Sequence, residues 1–75
     1  PGWVDTKMAH EGLQAFSEAL KISKEKAFEQ AMTDVPLGKM SQPDEIAQFT
    51  AFLISDVQTS ITGQTLDINN GAMMP

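Results

Sequence analysis

The residues best suited to hold a ligand stand in one run, Pro1-Gly2-Trp3-Val4-Asp5-Thr6. Pro1 fixes one backbone angle and has no donor, Gly2 permits a sharp reversal or the close approach of a ligand, and Thr6 can cap a helix that follows. The run reads as a strand-to-helix turn. Two kinds of recognition suit such a turn: one residue's N–H and C=O together match a flat amide, and the open amides of a helix start favour an anion. His10 is the only imidazole, and with no positioned partner in the pattern it reads as a solvated side chain rather than a proton carrier. The chain has no cysteine, which excludes disulfides and thiolate metal sites. A zinc site would need carboxylates spaced with His10 on one face, and no such spacing is present, so no metal is expected.

Charge and hydropathy narrow the classes further. Ten acidic residues against five lysines give a net charge of −5, which opposes binding to nucleic acid, where clustered Lys and Arg meet phosphates. The longest apolar run, Ala51-Phe52-Leu53-Ile54, falls far short of the ~20 residues that span a bilayer. The start lacks a basic-then-apolar leader pattern. A soluble, cytoplasmic parent protein is expected, without membrane or nucleic-acid partners; the missing cysteine agrees with a reducing compartment.

Pro, Gly and Asn divide the chain into four parts. From Thr6 to about Leu20, Ala9, Leu13, Phe16 and Leu20 align along one helical stripe. Gly12 costs about 1 kcal/mol relative to Ala in a helix interior, so a loose first turn is expected. A second helix runs from Ser23, as N-cap, to about Met32, with Ala27, Phe28, Ala31 and Met32 on its apolar face. Met8, Phe16 and Phe28 on these stripes read first as packing residues. A third helix opens at Ser41-Gln42-Pro43-Asp44-Glu45: Ser41 can accept an open N–H, Pro43 fits the first turn, and Asp44 and Glu45 complement the macrodipole. Its apolar stripe of Ile46, Phe49 and Leu53, widened by Ala47, Ala51, Phe52 and Ile54, implies burial on more than one side. Such a helix needs a second subunit or more chain to cover it. Last, residues 61–68 alternate like a strand and end at Asn69-Asn70-Gly71. One strand cannot satisfy its own donors and acceptors, so its partner must lie elsewhere, most simply in a strand preceding Pro1 in a βαβ arrangement.

Three landmarks, taken in order, resemble the C-terminal portion of a short-chain dehydrogenase/reductase. Pro1-Gly2-Trp3-Val4-Asp5-Thr6 is similar to the family's P-G-x-[VI]-x-T segment. The run Pro36-Leu37-Gly38-Lys39-Met40-Ser41-Gln42-Pro43-Asp44-Glu45-Ile46-Ala47 resembles P-[LI]-[GR]-R-x-[GA]-x-P-[ED]-E-[IV]-A, and Ile61-Thr62-Gly63-Gln64-Thr65-Leu66 resembles [IV]-[TN]-G-x-x-[LI]. Lys39 stands where arginine is more frequent, keeping the charge without the bidentate fork. Asn69-Asn70-Gly71 replaces a frequent D-G-G, and Asn and Gly both tolerate positive φ.

The resemblance implies an α/β fold, this chain being the C-terminal part of a doubly wound Rossmann-type parallel sheet with about three helices and one final strand. Residues 1–6 would form a cofactor-facing turn, 7–35 a variable helical lid over the substrate, 36–55 a turn and interface helix, 61–68 the last strand and 69–75 a tail. In such a sheet ligands sit at the carboxyl ends of the strands, where Pro1 and Gly2 would leave one. The implied cofactor is NAD or NADP. Pro1 and Gly2 would shape the turn, Val4 would give its amide and carbonyl to the nicotinamide carboxamide, and Thr6 would contact the carboxamide or pyrophosphate. Trp3 and Met8 would meet a small alcohol or carbonyl substrate, although Trp3 equally suits packing. The family's phosphate loop, catalytic serine and Tyr-x-x-x-Lys pair are not in this sequence, which has no tyrosine. The chain therefore holds no catalytic residue of its own. The expectation is one part of an NAD(P)-dependent oxidoreductase that interconverts an alcohol and a ketone or aldehyde, partnered by the remainder of its parent chain and by further copies in a dimer or tetramer. The alternatives are a non-catalytic scaffold or regulatory protein of the same fold, and a small helical module that binds another protein.

Overall fold

The structure, a computed structural model, describes residues 1–74. The expected tail at 69–75 thus ends one residue outside the described residues. Three helices follow in order, α1 (Lys7–Leu20), α2 (Lys24–Met32) and α3 (Pro43–Ile54). Thr6 opens α1 as anticipated, its extended backbone letting Oγ1 accept from Ala9 N–H at 3.3 Å. The loose first turn expected from Gly12 does not occur, because α1 packs on α2 and tertiary contact outweighs local propensity. Lys21 ends α1 in the left-handed region (φ 56°), with its own N–H on Glu18 C=O and Ile22 N–H on Ser17 C=O. That paired bonding closes the last turn. Ser23 caps α2 by accepting from Lys26 N–H at 3.1 Å.

The core is small. Leu13, Ala27, Met32, Val35 and Met40 are buried, and Trp3, Ala9 and Ala31 pack around the cluster of Leu13, Met32, Val35 and Met40. Burying each large aliphatic side chain contributes roughly 1.5–3 kcal/mol, so this cluster is what holds α1 to α2 and to the loop that follows. The buried line on α1 runs Ala9, Leu13, Ser17 rather than through Phe16 and Leu20, which stay exposed at 39% and 49%. Met8, read from sequence as packing, is 79% exposed, and Phe28 also reaches solvent. The reason is that α2 covers only one side of α1 among the described residues.

One further expectation is corrected, and another is not met among the described residues. Ser41 does not cap α3; Gln42 does. Ser41 is already committed, being 2% exposed with its backbone bridged to the first turn and its Oγ accepting from Asn70 Nδ2 at 3.1 Å. Pro43 takes the first helical position, and Glu45 folds back so that Oε1 accepts from Gln42 N–H at 2.9 Å while Oε2 meets Lys39 Nζ at 3.2 Å. Those contacts, the Gln42 amide foremost and the lysine after it, hold the Glu45 carboxyl below the usual carboxylate range. The strand expected at 61–68 is also absent among the described residues. A strand exists only through pairing, and the described residues contain a single isolated parallel bridge, Val4 with Ser41, which involves neither 61–68 nor a neighbour to it.

Residues 69–71 instead form a turn docked on the 36–41 loop. Asn70 (φ 55°) and Gly71 (φ 87°) both take the positive φ foreseen for this turn. Asn70 C=O accepts from Leu37 N–H at 3.1 Å, and its Nδ2 donates to Lys39 C=O at 2.9 Å. Gly71 lies so close to Pro36 that an added Cβ would stand 2.9 Å from Pro36 Cγ. By contrast α3 buries none of its residues, and Ile54 at its end is 83% exposed. The radius of gyration is 15.3 Å, against about 11 Å for a compact domain of this length. No described helix is long and apolar enough to cross a membrane.

Candidate functional site: the turn at residues 1–6

The isolated bridge decides which way the turn faces. Ser41 N–H donates to Trp3 C=O at 2.9 Å, and Asp5 N–H donates to Ser41 C=O at 2.8 Å. In a trans peptide the N–H of one residue points opposite to the C=O of the residue before it. Anchoring Trp3 C=O therefore aims Val4 N–H the other way, and anchoring Asp5 N–H does the same for Val4 C=O. Val4 thus carries an adjacent donor and acceptor on the edge that Ser41 does not occupy. The carbonyl takes only a 3.3 Å bond from Thr6 Oγ1, and among the described residues nothing bonds the amide. Immediately beyond, the first turn of α1 begins at Lys7, where open amides favour an anion.

Around this turn the other expected site residues fall in different places. Pro1 and Gly2 lie beside Asp67, Ile68 and Asn69, bordering a hollow of about 290 Å³; an added Cβ on Gly2 would be 3.0 Å from Asn69 Cβ. The C-terminal end of the 61–68 segment therefore sits alongside the start of the turn. Trp3 is half-buried and, with Leu13, Phe16 and Ala31, walls an apolar cleft of about 330 Å³ between α1 and α2, to which Gly12 and Gln30 add the remaining lining. Met8 stands on α1 away from that cleft. Trp3 and Met8 are not brought together.

Three residues passed over in the sequence reading join at the turn. Asp5 Oδ1 accepts from His10 Nε2, and Asp5 Oδ2 accepts from Gln42 Nε2 at 3.0 Å. These two bonds, the one from Gln42 first, hold the Asp5 carboxyl below its ordinary range. His10 therefore has a positioned partner. Asp5 and His10 flank the Thr6 cap at the positions before it and at the fourth helical residue, which meet across a helix start in the hydrophobic staple, here filled by a polar pair. That spacing was a usable signal; Gln42, 37 residues from Asp5, left none.

With this geometry in view, the likeness to known proteins is specific. A crystal structure of a short-chain dehydrogenase family protein from Francisella tularensis superposes with a TM-score of 0.87 at 35% identity, over 96% of this chain and 30% of that one. A family profile described as Enoyl-(Acyl carrier protein) reductase matches residues 1–73. The chain belongs to the short-chain dehydrogenase/reductase family. Among curated members, the 3-oxoacyl-[acyl-carrier-protein] reductase FabG of Pseudomonas aeruginosa is 36% identical over 74 residues, covering 99% of this chain and 26% of that protein. The NADPH-dependent reductase BacG of Bacillus subtilis is 33% identical over 73 residues, 97% of this chain and 28% of that protein. The chain thus spans about a quarter of the length of these short-chain dehydrogenase/reductase relatives.

Proposed function

We propose that this chain is the C-terminal segment of an NAD(P)-dependent oxidoreductase that interconverts an alcohol and a ketone or aldehyde. The observation that carries the reading is the adjacent donor and acceptor of Val4, held on an open edge next to the start of α1, the carbonyl carrying only a 3.3 Å bond from Thr6 Oγ1. A carboxamide has the complementary donor and acceptor, so Val4 fits the nicotinamide amide, and Thr6 and the first amides of α1 suit the rest of the cofactor. When bound, the nicotinamide supplies or takes up the hydride. The residues here orient it: a fixed amide sets which ring face meets the substrate, a positioning contribution to rate. The names of FabG and BacG support a carbonyl reduction with a nicotinamide cofactor. Trp3 would wall the substrate side, α1 and α2 would form the lid, and Met8 would meet the substrate only if the lid closes over it.

In this reading residues 61–68 become the last strand of the parallel sheet, paired with one that precedes Pro1. The nearness of Gly2 to Asn69 supports that placement. The bare face of α3 supports a second copy as its cover. The test is cofactor binding by the full-length protein, followed through NADH and NADPH fluorescence. The wild type should bind at least one of them, and the 75-residue piece neither. Val4→Pro, which deletes the N–H, should weaken binding about tenfold, the loss of one hydrogen bond to a fixed partner. A wild type that binds neither nucleotide overturns the proposal.

A further inference from the structure

We propose that Asp5 is a positioning residue whose carboxylate, gripped by His10 on α1 and by Gln42 at the head of α3, fixes the direction in which Val4 presents its peptide groups. The inference rests on the cofactor reading above. Its starting point is a weakness of the bridge. Both bonds that aim Val4 run to one residue, Ser41, and no neighbouring bridge flanks them among the described residues. An isolated pair of parallel bonds leaves the segment free to twist about its own axis, and a twist there swings the Val4 N–H and C=O away from any fixed target.

Asp5 removes that freedom because its anchors lie off the axis of the bridge. Its backbone N–H shares a peptide plane with Val4 C=O and is held by Ser41 at 2.8 Å. Its two carboxylate oxygens then reach separate elements, Oδ1 to His10 Nε2 and Oδ2 to Gln42 Nε2 at 3.0 Å. One residue between Val4 and the Thr6 cap is thus tied to a loop and two helices. Neither oxygen is left without a partner, so the carboxylate serves as a brace and not as a ligand for the cofactor itself. Gln42 is in turn locked, since its N–H is taken by Glu45 Oε1 and Glu45 is paired with Lys39. The brace is half exposed, which limits its strength, but orientation needs only a modest bias between nearby twists.

The test uses the full-length protein with two substitutions and two kinds of readout. Asp5→Ala frees both donors; Asp5→Asn keeps an acceptor for Gln42 and offers an N–H to a neutral imidazole. Without cofactor, hydrogen exchange at the Asp5 and Ser41 amides should quicken by roughly threefold to tenfold in Asp5→Ala, while the α2 amides stay unchanged. In steady state, the same variant should raise KM for the nicotinamide cofactor by about threefold to tenfold, with KM for the carbonyl substrate within about twofold of wild type. Asp5→Asn should recover most of both effects. Wild-type exchange and cofactor KM in Asp5→Ala overturn the proposal, as does a parallel rise in both KM values, which indicates general loosening. Failure of the wild type to bind any nicotinamide cofactor is a separate result: it overturns the cofactor reading, whereas unchanged exchange overturns the brace alone.

Discussion

The junction of residues 1–6, 36–41 and 69–71 and the stretch from α3 to Leu66 treat polar and apolar groups in opposite ways. At the junction, polar groups from distant parts of the chain find one another: Ser41 with Trp3 and Asp5, Asn70 with Lys39, Asp5 with Gln42. Along the other stretch the bonds are local, such as Gln58 Nε2 to Leu53 C=O at 2.7 Å, and Phe52, Ile54, Val57, Ile61 and Leu66 remain exposed. A surface that leaves so many large apolar side chains in water is shaped for contact with something else. The junction, in contrast, ties most of its polar groups to one another and leaves one open edge, at Val4. The two regions therefore depend on different amounts of surrounding protein.

Substitutions can break that contrast. The largest effect is expected from Ile54→Asp in the full-length protein: with a second copy over α3, as proposed, a charge in that apolar face should abolish association between copies. Light scattering would show a fall to the mass of one chain, and an unchanged mass would mean that no second copy covers α3. Leu13→Ala tests the other region: it removes the largest fully buried side chain of the core, 2% exposed, and should cost about 3 kcal/mol in urea unfolding without changing the mass. Gly71→Ala should cost about 2 kcal/mol, because the methyl group meets Pro36 and the backbone must hold φ 87°. The smallest effect concerns acid. The Asp5 and Glu45 carboxyls sit below their ordinary range, so what they contribute is full above about pH 4 and is lost as pH falls through the depressed values. The wild type should therefore lose more stability between pH 5 and pH 2.5 than the Asp5→Asn, Glu45→Gln double variant, measured by the urea midpoint.

The features legible in the sequence are those that local geometry decides. Thr6 and Ser23 cap their helices, Pro43 starts α3, and the Asn70-Gly71 turn takes positive φ, each from residues within a few positions of one another. Ser41 was misjudged because its hydroxyl answers to Asn70, 29 residues away, and not to the helix beside it. The strand expected at 61–68 is not formed among the described residues for a related reason: its alternation is real, but pairing is a property of two segments. At the turn, the sequence pointed to Pro1–Thr6 as a unit, while the bracing of Asp5 needed Gln42, and no local pattern reports a contact across 37 residues.

The bridge between Val4 and Ser41 has one more consequence, which concerns variation. It clips together the two ends of everything from residue 5 to residue 40, so α1 and α2 hang from the turn as a closed loop. The entropy of closing such a loop grows only with the logarithm of its length, about 0.6 kcal/mol for each doubling. Insertions, deletions or wholesale exchange at residues 21–23, where α1 passes to α2, would then leave the register of Val4 and Ser41 untouched. The link between α1 and α2 can thus vary in length while the contacts that close the loop, the bridge and the His10 bond to Asp5, stay in place.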